Sequence, residues 1–331
     1  MVQPLILVTG ANGHIGNHVV KNLLAHGFQV RILCRPGSDR AGLRFVENSV
    51  EIFLGNVLDR ASLAPALVGC DGVIHCAAVF SANLFLKAKI KETAVTGTLN
   101  VLTEARFAEV RRIVLVSSTA TIGPCRLPGV PCDETQTAEN SRSDYALAKI
   151  EAEKTALAYA RANDLELVVV CPSTVIGPND FRLTPSNAII KNMLRQRMFF
   201  IPGGFNLVAV EDVADGIRLA YEKGQPFERY ILSGTNLSFR ELLEQMDEHK
   251  GRVPFRVGMP VWLINAVAKV FDLIATVTRK QMPVTSDGVR AHAGVDWFFN
   301  NDKARRELEF APGPIGETVK ATVDWIEQHF V

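Results

Sequence analysis

Six short apolar, β-branched runs mark the first half of the chain: LILVT at 5–9, VRILC at 30–34, VEIFL at 50–54, GVIHCAA at 72–78, RIVLVSS at 112–118 and LELVVVCP at 165–172. Each is too short for a free-standing helix and lacks strict polar alternation, the pattern of a strand buried on both faces. Helical patterns lie between them: IGNHVVKNLLAHG, ASLAPALVG, LNVLTEARFAE and YALAKIEAEKTALAYARAND. Strand alternating with helix predicts an α/β fold, a doubly wound parallel sheet with right-handed crossovers.

The rhythm loosens after residue 172, where CPSTVIGPND and FIPGGFN are rich in turn residues. Beyond them, VEDVADGIRLAYEKG reads as a helix, RYILSG as a strand, SFRELLEQMDEHKG as a helix capped by Ser238, and IGETVKATVDWIEQHF as a last helix. The expected organisation is a sheet domain over 1–172, with a strand and helix returning to it near 205–235. A smaller lobe, mainly substrate-binding, covers 173–331. Ligands of open α/β sheets sit at the carboxyl ends of the strands, so a lobe there closes over them.

PVWLINAVAKVFDLIATVTR, at 260–279, is long and greasy. A membrane span would put Lys269 and Asp272 near its centre, at roughly 2.5–3.5 kcal/mol each. On a helix, Asn265, Lys269, Asp272 and Thr276 form one narrow polar stripe beside a wide apolar face. The favoured reading is a helix buried in the lobe; peripheral membrane contact through 260–279 is the alternative.

The 331 residues, 47% hydrophobic and 21% charged, suit a globular protein with a large core. A net charge of +1 and the lack of a basic tail argue against nucleic acid as a partner. Cys34, Cys70, Cys76, Cys125, Cys132 and Cys171 include no C-x-x-C pair, so neither a metal site nor a disulfide framework is expected. The N-terminus runs into a strand without a basic leader region, and the expected setting is cytoplasmic.

The stretch LVTGANGHIG, at 7–16, follows the first strand and opens the first helix. Gly10 suits the tight turn, Gly13 the approach of a pyrophosphate and Gly16 close helix–strand packing. Asn12, His14 and Ile15 complete the loop, whose N–H groups and helix dipole suit an anion. His14 is read chiefly as a packing residue, with its backbone toward the phosphates. The second strand ends VRILCRPGSDR, with Cys34 where an acidic residue would bind the 2′-hydroxyl of NAD. Arg35 follows, and a guanidinium can bind a 2′-phosphate bidentately. NADP(H) is therefore the expected cofactor; NAD(H) is the alternative, and Asp39 tempers the choice.

SDYALAKIEAEK places Tyr145 and Lys149 four residues apart, on one helix face. A free phenol has a pKa near 10, and an ammonium nearby lowers it toward the range useful for acid–base work.

TGANGHIG followed by YALAK resembles the extended short-chain dehydrogenase/reductase family. NVLDRASL, HCAAV, CPSTVIGP and VAVEDVADGI resemble its later motifs, so the likeness covers nearly the whole chain. VRILCRPGSDR, VSSTATIG and PSTVIGPND look most like its dihydroflavonol-reductase-like and 3β-hydroxysteroid-dehydrogenase-like members. The resemblance implies a Rossmann-like domain with a small C-terminal substrate lobe. It implies Tyr145 as acid/base and Lys149 as the residue that tunes it and holds the nicotinamide ribose. Ser118 is the favoured catalytic hydroxyl, with Thr119 as the alternative and Ser117 as structural. It further implies cofactor contacts at Asn56, Val57, Ala77, Ala78, Tyr145, Lys149, Pro172 and Val175.

Three departures stand out: Asn56 where Asp is common, Ala94 where Asn is usual, which puts part of the proton relay in doubt, and Ala148 before the lysine. Two enzyme readings follow, and one that is not enzymatic. The favoured one is reduction of a carbonyl, or oxidation of a secondary alcohol, on a bulky apolar or aromatic small molecule. The second is an NAD-dependent sugar-nucleotide epimerase or dehydratase, with Arg182, Arg195 and Arg197 as candidates for a diphosphate. The third is an NADP-sensing protein without catalysis. Monomer and homodimer both stay open.

Overall fold

A computed structural model of the chain describes residues 3–79, 87–127, 129–141, 143–195, 199–251, 257–278 and 293–331. The predicted strands form: β1 (Leu5–Thr9), β2 (Gln29–Cys34), β3 (Glu51–Leu54), β4 (Gly72–His75), β5 (Arg112–Val116) and β6 (Glu166–Pro172). With β10 (Arg229–Leu232) they make a seven-stranded sheet, ordered β10-β6-β5-β4-β1-β2-β3, and every pair in it is parallel. The order reverses between β1 and β4. That switch point is where an open α/β sheet holds its ligand.

Apolar side chains on both faces explain the burial of these strands, with one correction to expectation. β3, at the sheet edge, is only half-buried, and its Glu51 and Leu54 are exposed because no further strand or helix covers them. Ile6 and Val8 pack into one core with Val20 and Leu23 of α1 (His14–Ala25) and Val213 and Ile217 of α7 (Val210–Lys223). Leu7 points to the other, with Leu63 of α2 (Arg60–Leu67), Leu102 of α4 (Thr98–Phe107) and Ala156 of α5 (Asp144–Ala162). A fully buried Leu, Ile or Val is worth about 1.5–3 kcal/mol. Between α2 and α4 lies α3 (Lys87–Glu92), continuing into a π-helical turn over Thr93–Gly97.

The later segments build a second layer. β7 (Thr174–Ile176), β9 (Gly203–Ala209), β11 (Thr235–Ser238) and β13 (Val295–Trp297) form a small sheet, and β8 (Phe199–Phe200) pairs with β12 (Val257–Gly258). A third core joins α6 (Pro185–Arg195), β9, α8 (Phe239–His249) and α11 (Ile315–Phe330) through Ile190, Leu207, Leu243 and Val323. Ser238 caps α8 in a reciprocal capping box with Glu241. α7 packs on α1, and β10 joins the central sheet, so the chain returns to its first layer between 210 and 232. A short α10 (Asp302–Leu308) packs against α7.

The segment at 260–279 departs from expectation. It is helical, α9 (Val261–Thr278), but Ile264 and Ala268 alone are well buried among its residues 261–272, while Trp262, Val267 and Val270 are exposed. Its neighbours, Ile201, Met259 and Ala293, cover one edge of a helix that is apolar nearly all round. Among the described residues no helix is long and apolar enough to cross a membrane.

Candidate active site

Gly10 ends β1 with φ +71°, and a Cβ built there would lie 2.7 Å from the Ala77 nitrogen. The turn therefore needs glycine twice, for its left-handed backbone and for the contact with the end of β4. At Gly16 a Cβ would meet the Gly10 carbonyl at 2.2 Å, so helix and turn could not close. Gly13 differs: the nearest atom to a Cβ there is the Gly10 oxygen at 3.2 Å, and Gly13 lines a cleft. Its bare backbone starts α1 with no side-chain cap and no acidic residue in the first turn. The free N–H groups and positive end of the helix therefore suit an anion.

The cleft, about 190 Å³, lies at the β1/β4 switch point. It gathers Gly10, Asn12, Gly13, Arg35, Asn56, Val57, Ala77 and Ala78, eight of the residues expected at the cofactor. The Asn56 side-chain oxygen accepts from the Leu58 N–H at 3.2 Å, which fixes the side chain while leaving a lone pair for a donor. These residues fit a dinucleotide: bare backbone and dipole for the pyrophosphate, and a polar, half-apolar slot for the adenosine.

Others stand behind the cleft wall. The Ile15 side chain packs into the core beneath α1. Pro172 and Val175 are buried at the end of β6 and in β7 and are absent from the cleft lining. His14 Nε2 donates to the Pro178 carbonyl at 3.1 Å, and His18 Nε2 reaches the same oxygen at 3.3 Å. Their rings meet edge to face. Burial holds His14 below its ordinary pKa and takes His18 down to about 3. His14 thus ties α1 to the segment after β7.

Tyr145 and Lys149 ride on α5, started by a Ser143 cap whose hydroxyl accepts from the Ala146 N–H at 3.3 Å. The Tyr145 hydroxyl is hydrogen-bonded to Ser118. Ser118 ends the run after β5, and its oxygen accepts from the Ala120 N–H at 3.1 Å, leaving its own O–H as donor. Thr119, next along, is buried. The buried Lys149 Nζ donates to the Val116 carbonyl at 2.9 Å.

The electrostatics differ from the sequence expectation. Desolvation pushes Tyr145 up to about 12, against the Ser118 hydrogen bond, and the ammonium does not offset it. Lys149 is brought down to about 8 by burial, against the pull of Cys76, Cys171 and Glu153. The two departures at 94 and 148 explain part of this. Ala94 and Ala148 pack together with Ile90 and Ala152 in an apolar cluster that Tyr145 and Val79 join. Where a polar Asn would stand, apolar side chains dry the phenol. Val79, of the same cluster as Tyr145, also lines the cleft with Cys76, so Tyr145 adjoins it.

Sequence reasoning missed a buried ion pair behind the lysine. Glu153 accepts from the Ser117 hydroxyl at 2.7 Å, and Arg229 Nε lies 2.7 Å from its other oxygen. Arg229 also donates to Thr121 at 3.2 Å. Glu153 had a legible signal, being four residues after Lys149 on the same helix face. Arg229 had none, since it arrives from β10. Among the described residues no group of three or more His, Cys, Asp or Glu could hold a metal.

The NAD dependent epimerase/dehydratase family model matches residues 6–233. The chain belongs to this family. A Synechocystis protein with a provisional dihydroflavonol 4-reductase name is 32% identical over 329 residues, 97% of this chain and 94% of that one. The 4-hydroxy-2-methyl-3-oxo-4-farnesyl-3,4-dihydroquinoline-1-oxide ketoreductase of Stigmatella aurantiaca is 31% identical, covering 92% of this chain and 91% of its own. The crystal structure of gox2253 superposes with a TM-score of 0.86 at 33% identity, over 99% of both chains. This epimerase/dehydratase-family chain is an NAD(P)-dependent oxidoreductase, and its reductase-named relatives point to carbonyl reduction in general.

Proposed function

We propose that the protein reduces the carbonyl of a bulky, apolar or aromatic small molecule with NADP(H), or oxidises the matching secondary alcohol. The observation that carries this reading is the Ser118–Tyr145 hydrogen bond beside the buried Lys149, at the edge of the glycine-loop cleft. The cofactor, when bound, supplies the hydride. Ser118 donates to the substrate oxygen as negative charge develops there. Tyr145, held protonated by its apolar surroundings, gives that oxygen its proton. Lys149, one helical turn along α5 from Tyr145, keeps a positive charge below about pH 8, which would favour the phenolate left after transfer.

Two sequence features support NADP(H): Cys34 ends β2 without a carboxylate, and Arg35 beside it lines the cleft. The ketoreductase relative is named for a farnesyl-bearing substrate, in keeping with a bulky apolar one. The pocket segments expected at 80–90, 125–142, 180–206 and 255–295 lie partly outside the described residues, at 80–86, 128, 142, 196–198, 255–256 and 279–292. A panel of ketones, aldehydes and nucleotide sugars, followed at the NADPH absorbance band, tests the reading. NADPH consumption with an apolar ketone supports it. Conversion of a nucleotide sugar without NADPH consumption favours the epimerase reading instead.

A further inference from the structure

We propose that Arg182, carried by the segment after β7, is a second cation for the 2′-phosphate of NADP(H), acting with Arg35 to set preference for the phosphorylated cofactor. The inference rests on the NADP(H) reading above. Arg182, a sequence candidate for a substrate diphosphate, lines the same cleft as Arg35, Asn12 and Gly13. Its Nη2 donates to the Asp39 carbonyl at 3.1 Å, and Asn12 Nδ2 donates to that same oxygen at 3.1 Å. This contact holds the guanidinium over the β2–β3 connection that begins at Arg35.

The position is the relevant one. The Cys34 thiol, at the end of β2, is pushed up chiefly by burial, against the fields of Arg40 and Arg182. Cys34 stands where a carboxylate would read the 2′-hydroxyl of NAD. Arg40 is engaged with Glu47 at 3.1 Å. Arg182 makes no ion pair among the described residues, and the Asp39 carboxylate turns instead to the Ala41 N–H at 2.9 Å. A guanidinium has five N–H donors in a planar fork, and Arg182 uses one of them on the Asp39 carbonyl. Two arginines from separate elements therefore present free donors to one anion position, an arrangement suited to a phosphate dianion.

The rival role for Arg182 is the pyrophosphate, which NADH and NADPH share. Dissociation constants separate the two. NADPH and NADH would be titrated by fluorescence, and adenosine 2′,5′-bisphosphate and adenosine 5′-monophosphate by calorimetry. The proteins are the wild type, Arg182→Ala, Arg182→Gln and Arg35→Ala, each with its melting temperature recorded. The expected result is a loss of about tenfold for NADPH and the bisphosphate in both Arg182 variants, the scale of one charge-assisted hydrogen bond. NADH and the monophosphate should change less than twofold. Equal losses for NADPH and NADH, or no loss for NADPH, would overturn the assignment. Tighter NADH than NADPH binding by the wild type would instead overturn the cofactor reading on which it rests.

Discussion

The carboxylate of Glu153 tunes Lys149, and Glu153→Gln should expose this as a shift of the alkaline limb of the pH–rate profile. Three groups raise the ammonium pKa against desolvation: Cys76, Cys171 and Glu153. The thiols attract an ammonium only as thiolates, and burial holds both at about 12. Near pH 8, Glu153 is therefore the anion that counts. Side chains four apart on a helix lie roughly 6 Å from each other. At an effective dielectric of about 20, a full charge at that distance is worth about 3 kcal/mol, or about two pKa units. Arg229, 2.7 Å from the carboxylate, cancels part of the field, so about one unit is expected. Reduction needs Tyr145 protonated, which holds to about pH 12, and Lys149 charged, which holds below about pH 8. The wild-type kcat/KM should thus be flat below pH 8 and fall above it. In Glu153→Gln the fall should begin near pH 7. Gln keeps an acceptor for Ser117, and the limb position is read independently of how much enzyme folds. A limb that stays in place, with only its amplitude reduced, would show that Glu153 is structural alone.

Three further outcomes follow from the geometry. Ser118→Ala should lower kcat by about 10²-fold, whereas Thr119→Ala, a buried neighbour, should leave it within a few-fold; the reverse ranking would move the catalytic hydroxyl to Thr119. His18 and His75 are held at about 3, and an unfolded histidine titrates near 6.5, so the unfolded chain binds more protons below that pH and stability falls down to about pH 3. By pH 5 the two rings cost about 2 kcal/mol each, partly offset by Glu134, Glu211 and Asp212, whose pKa values burial raises; denaturant midpoints equal at pH 7.5 and 5 would refute this. Gly10→Ala should lose about 2–5 kcal/mol, from its left-handed backbone and the Ala77 contact, and a melting temperature within a degree of wild type would contradict the turn geometry.

Local pattern carried the sheet and much of the site. All six predicted strands of the first half form; strands covered on both faces must be apolar at successive positions, which is visible in any short window, and β3 shares the pattern although it lies half-exposed at the sheet edge. Gly10 and Gly16 were equally legible, since a left-handed turn and a backbone contact admit one residue type. What stayed hidden depends on pairing across the fold. Arg229 reaches Glu153 from β10, and Arg182 reaches the glycine-loop cleft from beyond β7. The Tyr145 pKa went against expectation because the drying effect of Ala94 and Ala148 emerges only when the π-turn meets α5. Helix α9 read as buried because its composition is greasy, and composition does not say how many neighbours arrive to cover it.

Tyr145 is the group proposed to supply the proton for NADPH-linked carbonyl reduction. The direct measurement is single-turnover oxidation of enzyme-bound NADPH by the best ketone of the panel, compared between wild type and Tyr145→Phe. The expected result is a fall of about 10²–10⁴-fold in the rate with NADPH affinity unchanged. A Tyr145→Phe enzyme that turns over at the wild-type rate would contradict it.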